Sequence, residues 1–194
     1  MKINNMYTVQ FRRKREGSTD YRKRLKIVVS NKPRMVARKS LAGIQAAIIE
    51  YHKEGDMTKA AAHSSQLKKI GWKYGTGNLP AAYLVGFLLG KKAKDAKIKE
   101  AILDIGLNKS VKGSRIYALL AGALDAGLSI PHNGEVLPSK DRISGKHIAA
   151  YADKLKADSK AYKKQFEAYL KNNAEPANIV KNFEETKKSI ETKA

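Results

Sequence analysis

The chain has 194 residues, enough for one domain with extensions or for two small domains at most. Its 39 Lys and Arg residues exceed its 18 Asp and Glu residues, so the formal net charge is +21. Such an excess indicates a polyanionic partner, with nucleic acid favoured over an anionic membrane surface. The hydrophobic fraction of 42% excludes a wholly disordered tail, and the lack of Cys excludes disulfides and cysteine nucleophiles. The sequence also predicts neither a secretory signal nor a membrane span.

The N-terminal fifth carries over half of the positive excess. Residues 1–39 hold 13 basic and 2 acidic residues. Two basic clusters, 12–15 and 22–24, have aromatic residues such as Tyr21 among them. Arginine matches phosphate oxygens and aromatic rings stack on unpaired bases, so the pattern predicts an RNA-binding arm at 1–24. A solvated tail or a localisation signal is the plainer alternative.

Strand patterns follow the arm. Residues 25–30 alternate loosely between apolar and polar, which predicts a first strand. Residues 34–39 predict a second strand. Residues 43–51 and 57–63 predict a hairpin around the glycine at position 55.

Two helices are predicted from their caps and apolar stripes. Asn78 can cap the first, in which Gly86 and Gly90 lie on one face and would permit close packing on a sheet. Ser114 can cap the second helix, and Gly127 suits the position just after its end.

The short apolar run 101–107, between these helices, predicts a central strand buried on both faces. Residues 144–171 and 176–191 are rich in Ala, Lys and Glu and predict further helices. The expected fold class is therefore α/β, with a mixed sheet and helices packed on it. We divide the chain into the arm (1–24), a core domain (25–140) and a C-terminal helical extension (141–194).

The segment 71–78 opens the first predicted helix with three glycines and the single Trp. Backbone N–H groups at a helix N-terminus bind phosphate, so a phosphate contact here is about as well supported as an ordinary loop. The segment is not a Walker loop. For Trp72 we slightly favour base stacking over a place in the core.

Catalytic and metal-binding patterns are weak. The four His residues show neither metal-ligand spacing nor a carboxylate cluster, and no cofactor motif occurs. Asp104 and Asp125 leave open an alternative, an RNA-processing nuclease, although a two-metal site needs several converging carboxylates. A basic chromatin protein is a third alternative. We expect no catalytic residue, metal or cofactor.

Several stretches resemble the archaeal branch of the large ribosomal subunit protein eighteen family. They include RRKREGSTDYRKRL (12–25), KPRMVARKS (32–40), AAHSSQL (61–67), GW with TGNLPAAYLVGFL (71–88), AILDIGLN (101–108), GSRIYALLAGALDAGLSIPHN (113–133) and GKHIAAY (145–151). Together they span roughly residues 7–155, and the match beyond is loose.

This resemblance implies a ribonuclease-H-like α/β architecture without its acidic site. It also implies a non-catalytic ribosomal protein of the cytoplasmic large subunit, part of the central protuberance. The implied partners are 5S rRNA, the large-subunit (23S) rRNA and neighbouring proteins including large-subunit protein five, with no membrane or small-molecule substrate.

The RNA-contact candidates combine these motifs with the positions that match the family. They are Arg12, Arg13, Lys14, Arg15, Tyr21, Arg22, Arg24, Arg34, Arg38, Lys39, Ser40, His63, Ser64, Ser65, Trp72, Thr76, Gly77, Asn78 and Arg115.

Overall fold

The computed structural model describes residues 8–193, and within them it has four strands and nine α-helices. The strands are β1 (Arg34–Lys39), β2 (Ile44–Glu50), β3 (Met57–His63) and β4 (Ile102–Asp104). The helices are α1 (Arg12–Arg15), α2 (Tyr21–Val28), α3 (Ser64–Ile70), α4 (Leu79–Asp95), α5 (Arg115–Asp125), α6 (Lys140–Ser144), α7 (Lys146–Leu155), α8 (Ser159–Lys171) and α9 (Ile179–Lys193). Short 3₁₀-helices cover Gly134–Val136 and Pro176–Asn178.

The four strands form one mixed sheet in the order β3-β2-β1-β4. β1 pairs antiparallel with β2, which pairs antiparallel with β3, so the predicted hairpin is confirmed. β4 pairs with β1 in parallel. The predicted α/β class with helices packed on a mixed sheet is confirmed, while the ribonuclease-H-like comparison stays a prediction.

The predicted strand at 25–30 is wrong, because α2 covers most of that segment. The Asp20 carboxylate accepts hydrogen bonds from the backbone N–H groups of Arg22 and Lys23 and so caps the helix. The apolar residues that suggested a strand lie on this helix or directly after it, and no residue of the helix is buried.

The prediction of a central strand at 101–107 is also wrong in length and place. β4 has three residues and lies at the edge of the sheet. Gly106 has a φ of +59°, and its N–H donates to the Asp104 carboxylate at 2.8 Å. This turn ends the strand at Asp104.

Helices α4 and α5 cover one face of the sheet and form the core with it. The Asn78 side chain caps α4 by accepting from Ala81 N–H at 2.8 Å, as predicted. Ser114 occupies the N-cap position of α5, as predicted, but its side chain makes no capping hydrogen bond. Gly127 follows α5 with a φ of +100°, as predicted.

The α4 glycines pack against α5 and not against the sheet, which corrects our expectation. A Cβ on Gly86 would overlap the Leu119 carbonyl oxygen, and one on Gly90 would meet the Cβ of Ala126 at 2.5 Å. The two helix backbones therefore approach closely along this face.

The C-terminal region is helical, as predicted, and it contributes to the core. Helix α9 contacts α4, and Ile179, Phe183 and Ile190 are buried in the main hydrophobic cluster. Within residues 8–193, no helix is both long and apolar enough to cross a bilayer.

Candidate nucleic-acid interface

The sheet face opposite α4 and α5 carries the basic side chains of β1. Met35 and Ala37 are buried in the core, so the alternation along the strand places Arg34, Val36 and Arg38 on the other face. We call this the outer face of the sheet.

Helices α1 and α2, which we call the arm helices, lie over the outer face and leave a cleft of about 610 Å³. The side chains that line this cleft carry more positive than negative charge. Its basic residues are Arg13, Lys23, Arg24, Lys26, Arg34 and Arg38, and its acidic residues are Asp20, Asp56 and Asp104.

Arg34 is 3% exposed and joins two carboxylates below this cleft. Its guanidinium donates to Asp56 at 2.7 Å and to Asp104 at 3.2 Å. Arg24, on α2, donates to the same Asp56 oxygen at 2.8 Å. Arg34 is therefore held in ion pairs beneath the surface, a structural role that its sequence pattern did not indicate.

Asp56 stays ionised in this arrangement. Partial burial by itself raises the pKa of its carboxyl group. Hydrogen bonds from Arg24 and Arg34, together with their positive charges, outweigh that effect and hold the pKa below its ordinary value of 3.8. Our sequence analysis missed Asp56, because an acid in a surface turn looks like any other until the fold brings two arginines to it.

The two carboxylates of the nuclease alternative have structural partners. Asp104 accepts from Arg34, Arg38 and the N–H of Gly106. Asp125, on α5, accepts from the hydroxyl of Tyr83 on α4. Among residues 8–193, no three His, Asp or Glu side chains converge as a metal site would require.

The turn between β1 and β2 is clamped to the loop before α4. The Arg115 guanidinium donates to the carbonyl oxygens of Ser40 at 3.1 Å and Gly77 at 2.8 Å. The Thr76 hydroxyl donates to the Ala42 carbonyl at 2.6 Å. A Cβ on Gly77 would meet the Leu41 carbonyl oxygen at 2.8 Å, so this contact favours glycine. Four predicted site residues, Ser40, Thr76, Gly77 and Arg115, are therefore brought together here.

The residues 63–65 serve the start of α3. His63 Nδ1 accepts from Ser65 N–H at 3.1 Å, and Gln66 completes a capping box. Ser64 is fully buried, and its hydroxyl accepts from Ile44 N–H at 3.1 Å. Ser64 thus has no surface to offer a ligand, whereas His63 and Ser65 are exposed.

Trp72 lies in the core, which runs against our slight preference for base stacking. The indole is 2% exposed, its N–H donates to the Gly75 carbonyl at 3.1 Å, and Tyr74 packs edge-on at 5.3 Å. The ring has no free face for a base. Asn78 is likewise occupied with capping α4.

The remaining candidates are accessible. All four cations of α1 are exposed, as are Arg22 and Lys39. Tyr21 is half-buried against Phe11, with ring centroids 5.3 Å apart. Arg38 keeps 45% of its side chain exposed while it pairs with Asp104. The arm and the outer face together present a basic surface that suits phosphate groups.

Comparison with known proteins reveals clear similarity. The family model described as "Ribosomal large subunit proteins 60S L5, and 50S L18" matches residues 5–100 and 91–133. The chain is 48% identical over 190 residues to large ribosomal subunit protein uL18 of Methanococcus maripaludis, and the alignment covers 98% of each chain.

Proposed function

Since the chain belongs to the family of ribosomal large subunit proteins 60S L5 and 50S L18, we propose that it binds 5S rRNA and helps attach it to the 23S rRNA. Family membership makes the chain a structural constituent of the large subunit of the cytoplasmic ribosome. We place it in the central protuberance, with large-subunit protein five among its neighbours.

The observation that carries RNA binding is the row of four exposed cations on α1 beside the basic cleft. A net charge of +21 supplies the long-range attraction, and each neutralised phosphate releases counterions. The arginines of the arm supply planar forks that match phosphate oxygens.

The contact surface that we propose joins three parts of the chain. The arm contributes Arg12, Arg13, Lys14, Arg15, Tyr21, Arg22 and Arg24. The outer face contributes Arg38. The end of β1 and the clamped turn contribute Lys39, Ser40, Thr76, Gly77 and Arg115, and the junction of β3 with α3 contributes His63 and Ser65. Arg34, Ser64, Trp72 and Asn78 support this surface from below, because their side chains are occupied in the structure.

We propose no catalysis at this surface. Asp104 is engaged by two arginines and a backbone N–H, and its role is to fix β4 beside β1. The nuclease alternative predicts magnesium-dependent RNA cleavage that an Asp104→Asn variant abolishes. Our proposal predicts no cleavage by the wild-type chain.

Sedimentation of ribosomal particles tests the proposed assembly. A tagged chain should sediment with the large subunit. When the subunit is dissociated, the tagged chain and the 5S rRNA should come off together. If the tagged chain came off while the 5S rRNA stayed on the large subunit, the proposal would be contradicted. Sedimentation of the tagged chain with the small subunit would contradict it as well.

A further inference from the structure

We propose that Asp56 is a positioning residue for RNA binding, an acid that holds an arm helix and its arginine in place on a surface made for a polyanion. The inference rests on the proposed RNA-binding function and deepens it. It concerns one carboxylate in the turn before β3 and its link to α2.

Helix α2 is poorly held by apolar packing. None of its residues is buried. Leu25, within the helix, is 64% exposed, and Val29, directly after it, is 69% exposed. Half-buried Ile27 lines the cleft but is not enclosed. The position of α2 over the outer face therefore depends on polar contacts.

The ion pair between Arg24 and Asp56 provides such a polar contact between α2 and the rest of the domain. Within residues 8–193, it is the only ion pair between α2 and another strand, helix or turn of the domain. The bonded atoms are 2.8 Å apart, and about two thirds of the Arg24 side chain is covered. Arg24 is thus held at the edge of the cleft.

Asp56 is itself fixed from beneath. Its second partner, Arg34, is 3% exposed and is also bound to Asp104 on β4. The chain Arg24–Asp56–Arg34–Asp104 connects the arm helix to the sheet through one buried guanidinium. In such a network each ion pair restrains the side chain that forms the next pair. Arg24 is therefore held in position before any phosphate binds.

Charge and positioning predict opposite effects when this acid is removed. By charge alone, loss of a carboxylate from a phosphate-binding surface strengthens binding. If Asp56 positions α2 and Arg24, its loss releases them, and RNA binding must then bear the cost of ordering them. The sign of the change distinguishes the two.

The test compares Asp56→Asn with Glu54→Gln, which removes an exposed acid two residues earlier in the same turn. We expect Asp56→Asn to weaken 5S rRNA binding roughly 3- to 10-fold, and Glu54→Gln to leave it unchanged or slightly tighter. In an Arg24→Gln background, Asp56→Asn should have no further weakening effect. Equal or tighter binding by Asp56→Asn in the wild-type background would overturn the inference.

Amide hydrogen exchange keeps the test valid if Asp56→Asn does not fold. Arg24→Gln leaves the pairs of Arg34 intact and should speed exchange in α2 of the free protein, while β1 is unaffected. If amide exchange in α2 did not change, the claim that the Arg24–Asp56 pair holds α2 in place would be overturned. Failure of the wild-type chain to bind 5S rRNA would overturn the proposed function, and this inference with it, whereas wild-type binding with unaltered Asp56→Asn binding would overturn this inference alone.

Discussion

Two aromatic side chains that the sequence marks as candidates for base stacking have different roles in the structure. Trp72 is enclosed by the core, and its N–H is satisfied by a backbone carbonyl. Tyr21 lies half-buried on the arm beside Phe11. Only the second ring has a face that RNA can reach.

Alanine substitutions separate these roles. Trp72→Ala should destabilise the fold by about 3–5 kcal/mol, because it leaves a large cavity, and should change the RNA affinity of the folded protein little. Tyr21→Ala should leave the melting temperature nearly unchanged and, if the ring stacks on a base, cost about 1–3 kcal/mol of binding. Calorimetry and filter binding on both variants check this. A binding defect in Trp72→Ala without loss of stability would contradict the core assignment.

Tyr74 links the loop before α4 to the C-terminal region, and its hydroxyl donates to the Glu175 carbonyl at 2.6 Å. Burial, and secondarily the charge of Glu175, raises the pKa of Tyr74 to about 12. Because the folded pKa lies above the ordinary tyrosine value of 10.0, which holds in the unfolded chain, the stabilisation is complete below pH 10 and is lost as the pH rises towards 12.

Tyr74→Phe tests this linkage. The variant lacks the hydrogen bond and should be less stable at neutral pH by about 1 kcal/mol. Its deficit should shrink as the pH rises from 10 to 12, since only the wild-type residue ionises on unfolding. Thermal melts of both proteins across this range provide the measurement, and a constant deficit would contradict the assignment.

At the scale of elements, the fold depends on the close contact between α4 and α5. Gly86 of α4 lies against the Leu119 carbonyl of α5, and Gly122 of α5 lies against the Tyr83 carbonyl of α4. Neither position has room for a Cβ atom. Glycine at both positions therefore lets the two helix backbones touch directly.

Gly86→Ala should therefore destabilise the protein by at least about 1–3 kcal/mol, although Ala is the better helix former. Gly134→Ala is the matched control, because its Cβ would meet nothing within 4 Å. Denaturant unfolding of both variants measures the difference. Equal stability of the two would show that the helices separate at little cost.

The arm should contribute binding without stability, because all residues of α1 are exposed. Alanine at its four cations should leave the melting temperature nearly unchanged and flatten the log–log salt slope of RNA binding by about 3. The control removes the same charge from exposed lysines of the C-terminal region, namely Lys154, Lys160, Lys163 and Lys164. An equal loss of affinity in the control would show that total charge, and not the arm, governs binding.

The sequence predicted elements best where local signals define their ends. Asn78 and Gly127 mark helix boundaries by capping chemistry, and the hairpin follows from its turn. The segment 25–30 was misread because its apolar residues fit a strand, while the cap that makes a helix lies further back at Asp20. Local patterns also could not show that Gly86 faces a helix.

The positive charge of the candidate site could be predicted from the sequence. The hydrogen bonds and ion pairs between its residues could not. The arginines of the arm follow from the two basic clusters at 12–15 and 22–24 and from the family resemblance. The buried place of Arg34 and the part played by Asp56 depend on strands and turns far apart in the chain, so no spacing rule could reveal them. The same holds for Arg115, which reaches the turn after β1.

At the scale of the whole molecule, charge and shape act together. The core gathers α4, α5, α9 and one face of the sheet, which leaves the opposite face for the arm and the cleft. The net charge of +21 is larger than a small domain needs for solubility, and the arm concentrates it beside this face. A large structured RNA supplies the matching negative charge.

Binding to purified 5S rRNA over a range of salt concentrations tests the central claim most directly. With about six phosphate contacts, the log–log slope should lie near −4 to −5. At fixed salt, 5S rRNA should bind more tightly than an unrelated structured RNA of equal length. A slope near zero, or equal affinity for the two RNAs, would contradict the account.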